Sequence, residues 1–331
     1  MTGGCYDNFQ RGCPTLGKER KHFAVSTTGL SKHFHNTRAL DNLNLKVPRG
    51  VVFGLLGPNG SGKTTFFKLL MGVLRPTAGG GFCVGKEIFA NSSAIREKTT
   101  YMGEELHLYN YMTVRDFVQL CSGLYPHWNV NLLERYRQEF DIPYNRRIGE
   151  LSFGMKSQLV LLVSLAPEPE LLLLDEPLAG LDPLFRRRFF DTVLAETIAK
   201  GKTVIIASHQ LSEVERIADH VAFLHRGRLL KECTLNELKA ASRSLRIVFQ
   251  QEPPPSFWQM EGITNLTRRN NDYQFSVTGN FDAIYQQCRE IPHHRLEIIN
   301  MNLEESFINL LQDREKEEFL HEYQPHQPSS A

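Results

Sequence analysis

The sequence of 331 residues lacks the marks of several large protein classes. Its six cysteines are scattered, with no C-x-x-C pair and no metal-ligand spacing, which favours reduced thiols in a cytosolic protein over a disulfide framework. No stretch approaches the roughly 20 apolar residues that a membrane helix needs, because the longest apolar run, 159–174, is broken by two prolines and two glutamates. The polar N-terminus has no apolar core segment, which argues against a secretory signal. We therefore expect a soluble, cytoplasmic chain.

An excess of charge of one sign is also missing. The chain has 38 basic and 37 acidic residues and a net charge of +1, so no overall field favours nucleic acid or an anionic membrane. The run Arg186–Arg188 fits the solvated face of a helix better than a nucleic-acid patch. There are no internal repeats and no sustained heptads. A chain of this length can bury the core of one large domain and a smaller one.

Short apolar runs alternate with helical stretches over the first two thirds of the chain, 23–235. Four runs are apolar on both faces, as expected for strands of a parallel sheet covered by helices. They lie at 51–56, 171–174, 203–207 and 221–224. A long helical region, about 112–166, separates the first run from the second. The pattern predicts an α/β domain over 23–235, with a helical subdomain at about 105–166.

Beyond residue 240 the pattern becomes that of a small α+β unit, expected over 236–312. Three runs predict strands, at 245–250, 273–279 and 296–301. The polar segment 1–22 is expected to be a disordered tail, and 313–331 is expected to be a polar, frayed tail.

A closing helix is predicted at the end of this unit. Its apolar side chains share one helix face at Leu303, Phe307, Leu310 and Leu311. Asn302 and Glu305 have the spacing of a capping box.

The stretch FGLLGPNGSGKTTFFKLL, 53–70, sets an apolar run against a glycine-rich loop that matches G-x-x-x-x-G-K-[ST]. Its glycines Gly57 and Gly62 let backbone N–H groups point inward toward phosphate oxygens, and the helix that follows directs its positive end at the same anion. Lys63 can reach the β- and γ-phosphates, and the Thr64 hydroxyl can bind Mg²⁺. The alternative is a glycine-rich turn with an accidental lysine. The strand before the loop and the amphipathic helix after it favour nucleotide binding.

A second motif, LLLLDEP, places Asp175 and Glu176 at the end of a buried strand. A carboxylate at the tip of a parallel strand faces the crevice where ligands bind in such folds. Asp175 suits the Mg²⁺ shell, and Glu176 could polarise a water for attack on the γ-phosphate. An isolated Asp-Glu pair is more often a solvated turn. After a phosphate-binding loop, the pair favours hydrolysis over phosphoryl transfer to another substrate.

A third motif, LSFGM, puts Ser152 where it would cap a helix that buries the residues from Val160 to Leu165. Gly154 in the first turn leaves the backbone open to close approach. By itself a serine-capped helix is an ordinary structural element. Because a helix N-terminus also attracts anions, it could hold the nucleotide of a second molecule.

The order of these motifs closely resembles the ATP-binding subunit of ABC transporters. The phosphate-binding loop is followed by a helical insert, LSFGM, LLLLDEP, AGLDP and ASHQLSEVERIADHVAFLHRGRLL, and the resemblance covers about 23–235. The stretches GLYPHWNV and LAPEPELLLLDEP are similar to the branch in which a single-domain ATPase serves a separate permease chain, mostly in export. The resemblance implies a P-loop NTPase fold with a mostly parallel sheet core, an antiparallel β edge and a helical insert, before the C-terminal α+β unit.

The resemblance also implies roles around one ATP. The phosphate-binding loop would wrap the triphosphate through Gly57, Pro58, Asn59, Gly60, Ser61, Gly62, Lys63, Thr64 and Thr65. Thr64 and Asp175 would hold Mg²⁺, and Glu176 would be the general base. His209 would sense or orient the γ-phosphate, although a lone histidine at a strand end is otherwise usually a polar cap. Phe34 would stack on adenine, with packing in the core as the alternative.

Further roles implied by the resemblance need a second ATPase subunit. Ser152 and Gly154 would contact the γ-phosphate bound on the opposite subunit, so that two chains close head-to-tail around two ATPs. Asp182 would cross that interface. A separate transmembrane permease would dock at the helical insert near Glu104 and Glu105 and would hold the chain at the inner face of the membrane. Direct binding to nucleic acid is not expected.

Five positions depart from the pattern of this family. Phe153 and Met155 replace a glycine and a glutamine of the signature, and Glu104 stands where a glutamine is expected. Ala179 replaces a common serine, and Phe34 a common tyrosine. None of these changes removes a catalytic group, which favours an active ATPase.

Two other classes stay open at this point. An ABC ATPase acting on DNA or the ribosome usually has two ATPase domains, a long coiled-coil insertion or a basic segment, and this chain has none of them. A nucleotide-gated regulator with little hydrolysis is opposed by Asp175, Glu176 and His209, whereas Glu104 and the altered signature leave room for it.

Overall fold

The computed structural model describes residues 22–177, 180–278, 280–300 and 302–311. The chain divides into two compact units. The first contains the described residues up to Gln210 together with Ile217–Glu232, and the second contains Leu211–Arg216 and the described residues from Cys233 onward. The expected tails, 1–22 and 313–331, lie outside the described residues apart from His22. That the two units are independent domains, with a boundary near residue 235, stays a prediction.

The first unit alternates strands and helices. Its strands are β1 (Phe23–Phe34), β2 (Thr37–Leu43), β3 (Lys46–Pro48), β4 (Val52–Leu56), β5 (Ala78–Cys83), β6 (Lys86–Glu87), β7 (Thr99–Met102), β8 (Leu171–Asp175), β9 (Thr203–Ser208), β10 (His220–His225) and β11 (Arg228–Thr234), which runs into the second unit. Its helices are α1 (Lys63–Leu70), α2 (Ser92–Arg96), α3 (Val114–Ser122), α4 (Val130–Glu139), α5 (Phe153–Leu165), α6 (Pro183–Arg188) and α7 (Ala195–Ala199). A π-helical turn, Phe189–Leu194, joins α6 to α7.

A six-stranded sheet lies at the centre of the first unit, in the order β11-β10-β4-β9-β8-β7. The pairings from β10 through β7 are all parallel. Every residue of β4, β8 and β9 is buried, as the sequence predicts for strands that are apolar on both faces. Because carboxyl ends of parallel strands meet at one edge, Leu56, Asp175 and Ser208 end neighbouring strands at the same edge.

A second, antiparallel sheet confirms the expected antiparallel β edge. Its order is β2-β1-β5-β6, with β3 also paired to β1. One buried cluster joins side chains of both sheets and of α1, among them Val25, Phe53, Phe66 and Leu173. Burial of such side chains contributes about 1.5–3 kcal/mol each and holds the loop before α1 against the sheets.

The predicted helical insert consists of α3, α4 and α5, and each helix begins at a polar cap. The caps are Thr113, Asn129 and Ser152, whose side chains accept backbone N–H groups of the first turn. Residues 161–165 are buried as predicted. Val160 is only half-buried, so that part of the prediction is wrong; its side chain lines a cavity beside Glu104.

The second unit contains a four-stranded antiparallel sheet in the order β13-β14-β12-β15. Its strands are β12 (Ser242–Phe249), β13 (Ile263–Arg269), β14 (Asp272–Thr278) and β15 (His293–Asn300), and its helices are α8 (Leu211–Val214), α9 (Leu235–Ala241), α10 (Phe281–Glu290) and α11 (303–311). The three predicted strands are β12, β14 and β15, whereas β13 and α10 were not predicted. The capping box before α11 is present: Asn302 Oδ1 accepts the Glu305 N–H at 2.8 Å, and Glu305 Oε2 accepts the Asn302 N–H at 3.3 Å.

Within the described ranges, no helix combines the length and the apolar character that crossing a membrane requires. In the described parts of the chain, Cys83, Cys121 and Cys288 are free thiols. Burial raises the pKa of Cys83 to about 12, so this thiol is protonated at neutral pH.

Candidate nucleotide-binding site

The glycine-rich loop connects β4 to α1 and is packed tightly at two of its glycines. A Cβ on Gly57 would lie 2.1 Å from the carbonyl oxygen of Leu224, and one on Gly62 would lie 2.5 Å from that of Ala39. Gly62 also has φ +108°, a conformation that other residues rarely adopt. These positions therefore need glycine for close packing, and the loop is held directly before the N-terminus of α1.

Lys63 is the first residue of α1, and its ammonium group is folded back onto the loop. Nζ donates to the carbonyl oxygens of Gly57, at 2.8 Å, and Pro58, at 3.2 Å, and lies 3.7 Å from Glu176 Oε1. The side chain is only 6% exposed. Burial lowers the pKa of Lys63, while the carboxylates of Glu176 and Asp175 oppose the shift. The loop thus contains a desolvated cation whose hydrogen bonds go to neutral carbonyl oxygens and whose nearest carboxylate is Glu176.

Asp175 ends β8 beside the loop and is fully buried. Its Oδ2 accepts the Thr64 hydroxyl at 2.7 Å and the Tyr101 hydroxyl at 3.3 Å. Its Oδ1 is buried and has no hydrogen-bond partner among the described residues. Burial raises the pKa of Asp175, and the two hydroxyl donors act against that shift.

These donors fit a magnesium ion. Hydroxyl and carboxylate oxygens are the ligands that Mg²⁺ prefers, and Asp175 Oδ1 is an acceptor without a partner among the described residues. No group of three or more His, Cys, Asp or Glu side chains in the described parts of the chain could hold a metal by itself. A cation here would therefore need further oxygen ligands, which a nucleotide can supply.

Glu176 follows β8 and is buried, with a left-handed backbone at φ +49°. Its Oε1 accepts the backbone N–H of His209 at 2.9 Å and lies 2.8 Å from His209 Nδ1. Its Oε2 accepts the Ser208 hydroxyl at 3.2 Å. A residue other than glycine in this conformation costs about 1–3 kcal/mol, and such strain is concentrated at functional sites. The carboxylate is thus positioned by the residues that end β9.

Glu104 lies in the loop that follows β7, where it is exposed. This loop borders a cavity of about 370 Å³ that Thr64, Tyr101 and Val160 also line. The structure therefore brings Glu104 to the same cavity as the predicted Mg²⁺ ligand Thr64.

The signature motif packs against the AGLDP motif within the same unit. Ser152 Oγ accepts the Met155 N–H at 3.2 Å and caps α5. A Cβ on Gly154 would lie 3.4 Å from the carbonyl oxygen of Gly180, and one on Gly180 would lie 2.4 Å from the ring of Phe153. The unusual Phe153 of the signature thus packs over Gly180 of the AGLDP motif.

The remaining predicted residues lie at element ends. Asp182 is exposed and caps α6, where Oδ1 accepts the Phe185 N–H at 2.9 Å. Phe34 ends β1 and is 40% exposed, with Lys32 Nζ 5.0 Å from the centre of its ring. This exposure disfavours the alternative that Phe34 packs in the core.

A family model described as ABC transporter matches residues 40–179. The bacitracin transport ATP-binding protein BcrA of Bacillus licheniformis is 32% identical over 221 residues, which cover 66% of this chain and 72% of BcrA. The chain belongs to the family of ABC transporter ATP-binding proteins.

Two further comparisons describe how far the likeness extends. YbhF of Escherichia coli, a probable multidrug ABC transporter ATP-binding protein, is 35% identical over 240 residues, 71% of this chain. The match spans only 40% of the length of YbhF. A solved ATP-binding subunit of an ABC transporter is 27% identical, with a TM-score of 0.61, over 66% of this chain and 92% of that one. This ABC ATP-binding protein therefore has the predicted cassette fold, a P-loop NTPase.

Apart from Phe34 at the end of β1, the predicted site residues of this ABC ATP-binding protein form two groups in the structure. The phosphate-binding loop, Glu104, Asp175, Glu176 and His209 lie around the carboxyl edge of the parallel sheet, and Ser152, Gly154 and Asp182 lie at the signature helix and the AGLDP motif. Sequence reasoning missed Tyr101 and Ser208 in the first group. The available signal was weak: each is a polar residue near the carboxyl end of a strand that neighbours a strand of the site.

Proposed function

We propose that this chain binds and hydrolyses ATP and that hydrolysis powers an ABC membrane transporter, in the direction of export. The observation that carries the proposal is the buried Glu176 carboxylate, which is held by Ser208 and His209 beside Lys63 of the phosphate-binding loop. Export is supported by the relatives, since YbhF is described as a probable multidrug transporter protein and BcrA as a bacitracin transport protein.

Triphosphate binding follows from the state of Lys63. Its ammonium is desolvated and bonded to neutral carbonyl oxygens of Gly57 and Pro58. A phosphate oxygen carries negative charge and a carbonyl oxygen does not, so Coulomb attraction favours moving the Lys63 ammonium from these carbonyls to the β- and γ-phosphates. The N–H groups of the first turn of α1 and the positive end of the helix add to the attraction. Residues Gly57 to Thr65 would wrap the phosphates, and Phe34 would stack on the adenine.

Thr64 and Asp175 would hold Mg²⁺, which when bound neutralises charge on the transferring phosphate. Glu176 accepts a proton from the attacking water as that water forms its bond to the γ-phosphorus and the bond to ADP breaks. Oε2 has the Ser208 hydroxyl as a donor and keeps acceptor capacity for this proton. His209 holds Oε1 through its N–H and orients the γ-phosphate with its ring.

Two copies, or this chain and a paired ATPase subunit, would close around two nucleotides. Ser152 is exposed and begins α5, so the N–H groups of this helix end can receive the γ-phosphate of the opposite subunit. Gly154 permits close approach there, and Asp182 would lie at the interface. A separate permease would dock at the loop of Glu104 and would hold the chain at the cytoplasmic face of the membrane.

The test uses Glu176→Gln, which keeps the shape of the side chain and removes its basicity. ATP turnover should fall by about 10²–10⁴-fold, because general-base catalysis contributes about this much. Light scattering should show ATP-bound dimers in the presence of Mg-ATP and monomers in its absence. The matched control is Glu97→Gln, an exposed glutamate remote from the loop in sequence, which should behave like the unaltered chain.

Unchanged turnover of Glu176→Gln would remove this residue as the base. A variant that binds ATP and stays monomeric at all concentrations would contradict closure by nucleotide alone. A dimer that forms without ATP would place the contact outside the composite nucleotide site.

A further inference from the structure

The two oxygens of the Asp175 carboxylate have different surroundings. Oδ2 receives two hydroxyl donors, from Thr64 at 2.7 Å and from Tyr101 at 3.3 Å. Oδ1 is buried, and no hydrogen bond reaches it from the described residues. A buried carboxylate oxygen without a partner is costly, by about 1–3 kcal/mol, unless a ligand completes it. The arrangement therefore distinguishes one oxygen that is held by the protein from one that is left for a cation.

Tyr101 is held in place independently of Asp175. Its strand β7 runs parallel to β8, with Tyr101 paired to Leu173 and Met102 to Leu174. Its ring meets the ring of Phe67 in α1 edge-on, with 6.0 Å between centroids. The hydroxyl position is thus set by the sheet and by the helix that follows the phosphate-binding loop.

Thr64 alone cannot fix the carboxylate. With one hydrogen bond, the Asp175 carboxylate can still rotate about its Cβ–Cγ bond when Thr64 moves slightly. Thr64 is also a proposed ligand of the cation. A second hydroxyl donor, held by other elements, restricts this rotation because Oδ2 must stay within reach of both hydroxyl groups. Hydrogen-bond partners of this kind orient metal ligands and typically change metal affinity 10–100-fold.

We propose that Tyr101 is a positioning residue for the magnesium site, which holds Oδ2 of Asp175 so that Oδ1 faces the cation. The inference rests on the proposed function, since it requires Thr64 and Asp175 to bind a metal–nucleotide complex. The role proposed for the phenol is to orient Asp175, and no contact with the nucleotide or the cation is assigned to it.

The experiment compares Mn²⁺ binding to the unaltered chain and to Tyr101→Phe, in the presence of saturating ADP. Electron paramagnetic resonance of free Mn²⁺ gives the dissociation constant without any turnover. Phenylalanine keeps the contact with Phe67 and removes only the hydroxyl, so the fold is retained. We expect the Mn²⁺ Kd to rise about tenfold, and ADP binding without metal to shift much less. Tyr111→Phe, at a tyrosine that is 72% exposed, is the matched control and should leave the Mn²⁺ Kd unchanged.

A double-mutant cycle separates orientation from a general structural effect. An Asp175→Asn background lacks the carboxylate that Tyr101 is proposed to orient. Adding Tyr101→Phe there should weaken Mn²⁺ binding by less than about twofold, against about tenfold in the unaltered chain. Equal effects in both backgrounds would overturn the proposal. A Tyr101→Phe variant with unchanged Mn²⁺ affinity would overturn it too, while leaving ATP hydrolysis intact as a proposal. If the unaltered chain did not bind Mn²⁺–ADP, the proposed function itself would fail.

Discussion

Replacing Glu168 by glutamine should destabilise the first unit in a pH-dependent way. Glu168 lies between α5 and β8, and its carboxylate accepts the Asn129 side-chain N–H at 3.0 Å and the Lys200 ammonium at 3.1 Å. His127 Nε2 also lies 3.1 Å from it. Asn129 and His127 belong to the helical insert, and Lys200 follows α7. One carboxylate thus connects the insert to the sheet-flanking helices of the same unit.

The size of the effect follows from the pKa of Glu168. The Asn129 amide, then His127 and Lys200, lower this pKa from 4.5 to about 2. The gap between the unfolded and folded pKa values corresponds to at most about 3 kcal/mol of stability. Because the side chain is 23% exposed, solvent screening reduces the contribution to about 1–2 kcal/mol.

The direction of the pH dependence follows from the difference between the folded and unfolded pKa values of Glu168. The folded pKa lies below the unfolded one, so the stabilisation is complete above about pH 4.5 and is lost as the pH falls toward 2. Glutamine keeps an acceptor for Asn129 and loses the charge. Glu168→Gln should therefore lower the free energy of unfolding by about 1–2 kcal/mol at pH 7, and by progressively less below pH 4.5.

Urea unfolding followed by tryptophan fluorescence measures this difference. The chain has two tryptophans, and Trp258 belongs to the second unit, so a Trp258→Phe background leaves Trp128, next to His127, as the reporter of the first unit. Unfolding of the units need not be concerted, and the local reporter avoids mixing them. Glu97→Gln is the control for removal of an exposed charge. A loss for Glu168→Gln no larger than for the control, or one that stays the same down to pH 3.5, would refute the reasoning.

Two further predictions concern Ser152 and Gly62. Ser152→Arg should abolish ATP hydrolysis but spare ATP binding to the monomer, since bulk and charge would enter the composite site. The control is Ser152→Ala, which also loses the hydrogen bond to the Met155 N–H and should lower stability by about 0.5–2 kcal/mol. Because alanine adds neither bulk nor charge, the control distinguishes loss of the helix cap from blocked closure of the dimer. Normal turnover by Ser152→Arg would rule out the partner contact. Gly62→Ala should lower the free energy of unfolding by more than about 3 kcal/mol, since its Cβ would lie 2.5 Å from the Ala39 oxygen at φ +108°. Gly60→Ala, at φ +78° with no atom within 4 Å, should lower it by about 1 kcal/mol. Thermal unfolding measures both losses. Similar losses would show that packing at Gly62 is not limiting.

Much of the first unit could be predicted because its signals are local. Strands that are buried on both faces have continuous apolar runs, so β4, β8, β9 and β10 were predicted from composition within a few residues. Helix caps are local too, and Ser152 and Asn302 occupy the predicted positions. Strand β13, in contrast, is largely exposed and has an irregular register, and α10 begins at Asn280, whose side chain makes no capping hydrogen bond, so neither has a strong sequence pattern.

The amino-acid sequence by itself determined the chemistry that this protein can offer: a phosphate-binding loop, a strand-end carboxylate pair and a serine-capped helix, each within a few consecutive residues. Only the tertiary structure decided which groups meet. Thr64 and Tyr101 lie 111 and 74 residues from Asp175 and converge on the same oxygen, and Ser208 lies 32 residues from Glu176. These contacts depend on β7, β8 and β9 being neighbours with a fixed parallel register. Strand order arises from burial and pairing across the whole sheet, and no local pattern of residues encodes it.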